Sequence, residues 1–216
     1  MRPKSITLSG AVLDRNGISL AQTTAGAANL TITGALASGG VATLDIPRHV
    51  GIYSAGDISS ITFTVTGTDR TGATITETIT GVNATTVNGN KNFKTVTRVA
   101  ASAAVGTNVE VGTTNEFDSQ VIPVNHRAPS ISYSCNPTVA GAFTYEVKYT
   151  LDNPWGSGFD ESTATWLEDL GPKTPSSSTD YEASASAGPI RALRVEITGW
   201  TNASDALELT VVEAGV

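Results

Sequence analysis

Residues 61–80 read ITFTVTGTDRTGATITETIT, and this stretch decides the fold. Ile61, Phe63 and Val65 recur at every second position, with Thr62, Thr64 and Thr66 between them. A period of two is that of a strand with one face buried and one wet. Asp69-Arg70-Thr71-Gly72 then supplies turn chemistry, with Gly72 free to take a positive φ, and the alternation resumes at Ile75 and Ile79. The stretch predicts a β-hairpin, and β-branched Thr at every outward position agrees with it.

Outward from the hairpin the same pattern recurs in shorter pieces. Residues 93–99 (FKTVTRV) and 109–111 read as strands, with the turn-rich residues 81–92 (GVNATTVNGNKN) before them. Upstream, residues 29–33 (NLTIT) and 41–46 (VATLDI) are strand candidates. The small, weakly patterned segment 10–40 reads as an extended arm or loosely strung short strands, expected to order by adding strands to an adjacent subunit. No window before Asp118 carries the apolar spacing of a helix with helix-forming neighbours.

Beyond Asp118 the composition changes. All three Trp and four of the five Tyr lie there. Residues 143–151 (FTYEVKYTL) alternate Phe143, Tyr145, Val147, Tyr149 and Leu151 against Glu146 and Lys148. Leu193, Val195 and Ile197 repeat the device, as do Leu207, Leu209 and Val211, and residues 130–135 are a further strand candidate. Residues 172–187 (PKTPSSSTDYEASASA) read as a polar loop. The expected architecture is all-β: two β-sandwich domains, Ig-like or jelly-roll-like, with an extended N-terminal arm. Residues 1–40 would hold the arm and first short strands, 41–118 a Thr-rich domain and 119–216 a C-terminal sandwich, divided near residues 116–124.

Composition excludes several functions. The chain of 216 residues carries a net charge of −7, with only 15% charged residues, while Thr makes up roughly one residue in seven. An acidic chain lacks the basic footprint that neutralises phosphates, so no nucleic-acid partner is expected. No apolar run approaches the ~18 residues of a membrane span, so no membrane partner is expected either. No signal-peptide pattern precedes Ser5. The single Cys135 excludes an internal disulfide and any multi-cysteine zinc site.

The residues that could carry chemistry each have a plainer reading. His49 and His126 lack a G-x-S-x-G elbow, and two distant His with one Cys make no zinc spacing. They are expected as surface or loop-anchoring residues, and Cys135 as a buried, inert thiol. Asp152, Asn153, Asp160 and Glu161 cluster in residues 151–161 (LDNPWGSGFDE), where oxygen ligands could bind calcium, but the EF-hand spacing is absent and turn preference explains the cluster. The acidic residues of 161–169 and 180–182 fall in solvent-prone loops and not in a cleft suited to glycoside cleavage. Tyr145 and Tyr149 are in register with a core face, and core or interface is the expectation for the aromatics. Trp155 is the exception, a loop residue expected to be an exposed contact. No cofactor, metal or catalytic residue is expected.

Residues 27–113 resemble a Thr/Gly-rich segment recurrent in virion structural proteins of tailed bacteriophages. The matching blocks are NLTITG, GGVATLDIPRHVGIYSAGDISSITFTVTGTDRTGATITETITG, TTVNGNKNFKTVTRV and VEVGT, in that order. The second half is similar to a companion β-domain of the same proteins through FTYEVKYTLDNPW, ATW, GPIRALRVEITGW and LELTVV. The resemblance implies a non-enzymatic virion component, made in the bacterial host cytoplasm and placed either on the head or around the neck and tail; two compact β-domains without a stalk favour one that decorates or cements the capsid shell. Its implied partners are other copies of itself and the major capsid protein. The alternative is a neck, tail or fibre-associated attachment protein, whose partners would be neck or tail proteins. Neither heptads nor a fixed repeat marks a trimerising stalk.

Overall fold

The computed structural model describes residues 3–10, 12–128, 130–178, 182–186 and 189–213, the side chains of 182–186 excepted. The protein is all-β: the described residues form strands joined by turns and loops, with no helix. The chain divides into two compact units, one of residues 13–117 and one of residues 1–12 and 118–216. The first unit is therefore inserted between an N-terminal strand and the rest of the second.

The Thr-rich unit contains two antiparallel sheets. One has the order β4 (Ala37–Ser38), β5 (Val41–Arg48), β10 (Phe93–Ala101), β7 (Thr62–Thr68), β8 (Thr74–Thr80), with β3 (Ala28–Asn29) also on β10. The other has the order β2 (Asp14–Thr24), β11 (Val105–Thr113), β6 (Val50–Ser54), β9 (Thr86–Asn88). Leu44, Phe63, Val65, Phe93 and Val99 of the first sheet share one buried cluster with Ile18, Ile52, Val109 and Val111 of the second, which makes the unit a β-sandwich.

The hairpin forms as β7 and β8. Phe63 faces Ile79, Val65 faces Glu77 and Gly67 faces Ile75. Asp69 closes the turn: one carboxylate oxygen accepts from the Thr71 N–H (2.7 Å), the Thr71 hydroxyl (2.7 Å) and the Ala73 N–H (3.0 Å), and Gly72 sits at φ +87°. Gly67 continues the inward row because nothing larger fits; a Cβ there would lie 1.9 Å from the Thr95 carbonyl oxygen.

Residues 10–40, read as an extended arm or loosely strung short strands, take the second form, and their strands pair within the chain and not with a neighbouring subunit. β2 pairs with β11, β3 with β10 and β4 with β5. The β2–β11 ladder shifts register repeatedly, so Gly17, Ile18 and Ser19 are buried in succession while Leu20 is exposed. Bulges of this kind erase the period-two signature from the sequence.

The second unit has one sheet of order β1 (Lys4–Leu8), β19 (Ala206–Glu213), β14 (Ile131–Thr138), β17 (Glu182–Ser186). In the other, β18 (Ala192–Thr198), β15 (Thr144–Thr150) and β16 (Leu167–Lys173) run side by side. β13 (Ile122–Pro123) pairs with β18 on the side away from β15, and β12 (Phe117–Asp118) is the short strand at which the chain leaves one unit for the other. The interior holds Trp200, Phe143, Tyr145 and Tyr133 among Val, Leu and Ile. The Phe143 and Trp200 rings lie 4.8 Å apart, and the Trp200 indole N–H donates to the Gly10 carbonyl at 3.1 Å.

Two expectations change here. Residues 182–186, read as loop, form β17 on the edge of β14, and residues 172 and 173 close β16. Leu151, read as the last inward residue of its strand, is half exposed, because the strand ends at Thr150 and the chain turns away. There the buried Thr150 hydroxyl accepts the Asp152 N–H at 3.0 Å.

Candidate functional site

The loop between β15 and β16 carries the residues that sequence reading singled out. Its carboxylates and amides accept from nearby N–H and O–H groups. Asp152 accepts the Thr165 N–H (2.7 Å), Asn153 the Trp155 N–H (3.3 Å), and Asp160 both the N–H (2.9 Å) and hydroxyl (2.7 Å) of Ser162. These are the hydrogen bonds by which Asp and Asn build turns. They leave an open cleft of about 350 Å³ lined by Asp152, Asn153, Gly156, Phe159, Asp160 and Thr163. Among the described residues no group of three or more His, Cys, Asp or Glu is placed to hold a metal ion.

Trp155 stands on this loop, 61% exposed. Leu151 precedes the loop and Leu167 follows it on β16; both are also exposed. Trp166 is half-buried, its indole N–H donating to the Glu161 carbonyl (2.9 Å) and its ring covered by the Arg194 guanidinium at 4.3 Å. Trp200 is a core residue.

The other candidates are structural in their surroundings. His49 links β5 to β6; its N–H donates to the Glu116 carbonyl (3.3 Å) and its ring lies 3.9 Å from the Glu116 carboxylate. His126 is exposed in the turn from Asn125 to Ala128. Cys135, the single cysteine of the sequence, is buried in β14. Asp169 accepts the Tyr133 hydroxyl. Asp180 lies outside the described residues.

A charged ladder on the outer face of β15 and β18 was only half visible in the sequence. Alternation placed Glu146 and Lys148 on one strand and Arg194 and Glu196 on another, but not opposite each other. The register sets Lys148 against Arg194 and Glu146 against Glu196. Lys148 bonds diagonally to Glu196 at 2.6 Å and lies 3.5 Å from Glu146; Arg194 bonds Glu196 and lies 3.6 Å from Asp118. Burial pulls the Lys148 ammonium down, yet the hydrogen bond and charge of Glu196, with the charge of Glu146, outweigh it and hold its pKa above the ordinary 10.5.

Two buried charges escaped the sequence reading altogether. Arg48 is 1% exposed, pairing with Asp45 (3.2 Å) and donating to the Thr114 carbonyl (2.7 Å). Asp205 accepts the N–H groups of Ala140 (2.7 Å), Gly141 (2.8 Å) and Asn202 (3.2 Å). Neither lies in a motif, and each partner is either a remote backbone group or a local turn, so spacing alone could not reveal them.

No protein-family model matches this chain, and neither does any curated protein. Among solved structures, the crystal structure of PBSX exported protein XepA aligns over 96% of this chain and 86% of that one, at 10% identity and a TM-score of 0.27.

Proposed function

We propose that this chain is a non-enzymatic structural component of a bacteriophage particle, and that it decorates or cements the capsid shell. The observation that carries the reading is where the phage-like blocks fall. They run from residue 27 to residue 113, within one sandwich spanning residues 13–117, and they supply every strand of its first sheet and all but β2 of its second. On the hairpin, Thr74, Thr76, Thr78 and Thr80 face solvent in a row. A neutral, hydrogen-bonding surface of this kind can meet a neighbouring subunit without charge repulsion, which suits contacts repeated by symmetry. The clustered acids and the ion pairs described above are engaged in holding turns and strands, which supports a building role over a chemical one.

One observation favours a second reading, attachment at the neck, tail or fibre. Trp155, with Leu151 and Leu167, offers exposed apolar area beside a polar cleft, as a contact residue would.

Counting copies in purified virions separates the two. Quantified against the major capsid protein, the shell reading expects hundreds of copies per particle. About a dozen copies would move the protein to the neck or tail. Absence from the particle would overturn both.

A further inference from the structure

β8 ends its sheet, and among the described residues no strand pairs along its far side. Which of its backbone groups face that open edge follows from the hairpin ladder. The Asp69 N–H donates to the Ala73 carbonyl (2.9 Å) at one end, and the Gly81 N–H to the Ile61 carbonyl (2.9 Å) at the other. Bonded and non-bonded pairs alternate in an antiparallel ladder. The bonded pairs between these ends are therefore Gly67 with Ile75, Val65 with Glu77, and Phe63 with Ile79. The N–H and C=O groups of Thr74, Thr76, Thr78 and Thr80 point outward, and the side chains of these four are exposed.

The strand that carries this edge, residues 74–80, reads TITETIT, the same from either end. We propose that β8 pairs antiparallel with β8 of a second copy, about a two-fold axis passing beside Glu77. The palindrome and the edge agree on one register. Thr74 meets the second copy's Thr80 and Thr76 meets its Thr78, so every outward N–H and C=O joins a bonded pair. Threonine side chains then face threonine side chains across the junction, a favourable cross-strand pairing, and Ile75 faces Ile79 on the inner side. A register shifted by one residue would set Thr against Ile at the ends and Thr against Glu77 at the centre.

Most edge strands carry a device against such pairing, commonly a proline, a lysine or an inward charge. β8 has neither proline nor lysine. Its inward charge, Glu77, is already occupied: its carboxylate oxygens accept the N–H groups of Asn90 (2.6 Å) and Lys91 (3.3 Å), which ties it to a loop of its own chain.

The inference deepens the reading of repeated self-contacts and rests on it for the identity of the partner. Its test uses the purified full chain without phage particles, so a failure here leaves the copy number per virion to be judged separately. Sedimentation velocity across the micromolar range should give a two-chain species for the wild type. Thr78→Pro removes an N–H that faces the open edge and not β7, a position where an edge strand tolerates proline. It should keep the wild-type far-UV spectrum and weaken association at least tenfold; Thr76→Pro serves in the same way if Thr78→Pro fails to fold. Glu77→Cys places two thiols opposite each other at a non-bonded pair, within disulfide reach. Mild oxidation should give a covalent dimer, and Thr76→Cys, whose two copies are offset along the strands, should not; Cys135 is buried, so the wild type serves as the background control. A wild type that stays a single chain, a folded proline variant that associates unchanged, or cross-linking at position 76 in preference to 77 would each overturn the proposal.

Discussion

The Thr-rich unit and the aromatic unit are both antiparallel two-sheet structures, but they fill their outward faces in opposite ways. On β7 and β8 the outward positions are Thr against Thr, neutral at every step. On β15 and β18 they are Lys148 against Arg194 and Glu146 against Glu196, like charges placed directly opposite. Such pairs are unfavourable in themselves. They persist because the inner face sets the register: Tyr145 meets Ile197, Val147 meets Val195 and Tyr149 meets Leu193. The charges then recover by bonding diagonally, Lys148 to Glu196 at 2.6 Å. In one unit the outer face agrees with the core; in the other it accommodates it.

The difference can be watched one unit at a time, because all three Trp belong to the aromatic unit. Tryptophan fluorescence during urea unfolding follows that unit alone, while far-UV circular dichroism follows both. Trp200→Ala should have the largest effect. It empties the most voluminous of the fully buried sites, at a cost of about 3–5 kcal/mol. The midpoint of the remaining Trp signal should fall steeply, and a part of the dichroism transition should stay in place. A shift of the whole dichroism transition would mean that the two units unfold together.

Asp205→Ala comes next, in the same unit. It leaves the N–H groups of Ala140, Gly141 and Asn202 without their buried carboxylate, a loss of about 2–3 kcal/mol. In the other unit, Gly67→Ala drives a methyl into the Thr95 carbonyl and should cost about 1–3 kcal/mol. That loss should appear in the dichroism and leave the Trp midpoint unmoved. Asp69→Ala removes a half-buried counterpart of Asp205, one that also collects N–H groups at a turn, and about 1 kcal/mol is expected. Comparing Asp205→Ala with Asp69→Ala isolates what burial adds to the same carboxylate-to-backbone bonding.

The two units were also unequally legible. The hairpin could be read to the residue, because a strand with one dry face, a regular ladder and an Asp-Gly turn leaves its period in the sequence. β2 could not: its bulges against β11 bury Ser19 and expose Leu20, which inverts the hydrophobic code. β17 was missed because residues 182–186 (EASAS) are small and polar, and the strand is placed by its pairing with β14 and not by a hydrophobic period. The pairing of β1 with β19 joins chain ends some 200 residues apart, and no local pattern encodes a contact of that separation. Among the candidate site residues, Trp155 was legible because a Pro/Gly-rich loop cannot bury a large ring. The diagonal charge bonds were not, since alternation names a face and leaves the opposite strand unspecified.

The smallest expected effect tests the accommodation itself. If the Lys148 ammonium is held by Glu196 and Glu146, its folded pKa lies above its unfolded value, as the bonds require. A cation of that kind contributes stability that is fully present below the unfolded pKa, about 10.4, and is lost as pH rises through the folded pKa. Lys148→Met keeps the apolar stem and removes the charge, so its effect at pH 7 should be small, within about 1 kcal/mol for a pair of this exposure. The informative quantity is the difference between wild type and variant as pH is raised above 10. Groups common to both proteins cancel in that difference. The wild type should lose its advantage in the Trp-monitored midpoint over that window, and high salt at pH 7 should shrink the same advantage. No difference at any pH across the window would show that Lys148 acts through its methylene stem, which Met retains, with the register of β15 on β18 owing nothing to its charge.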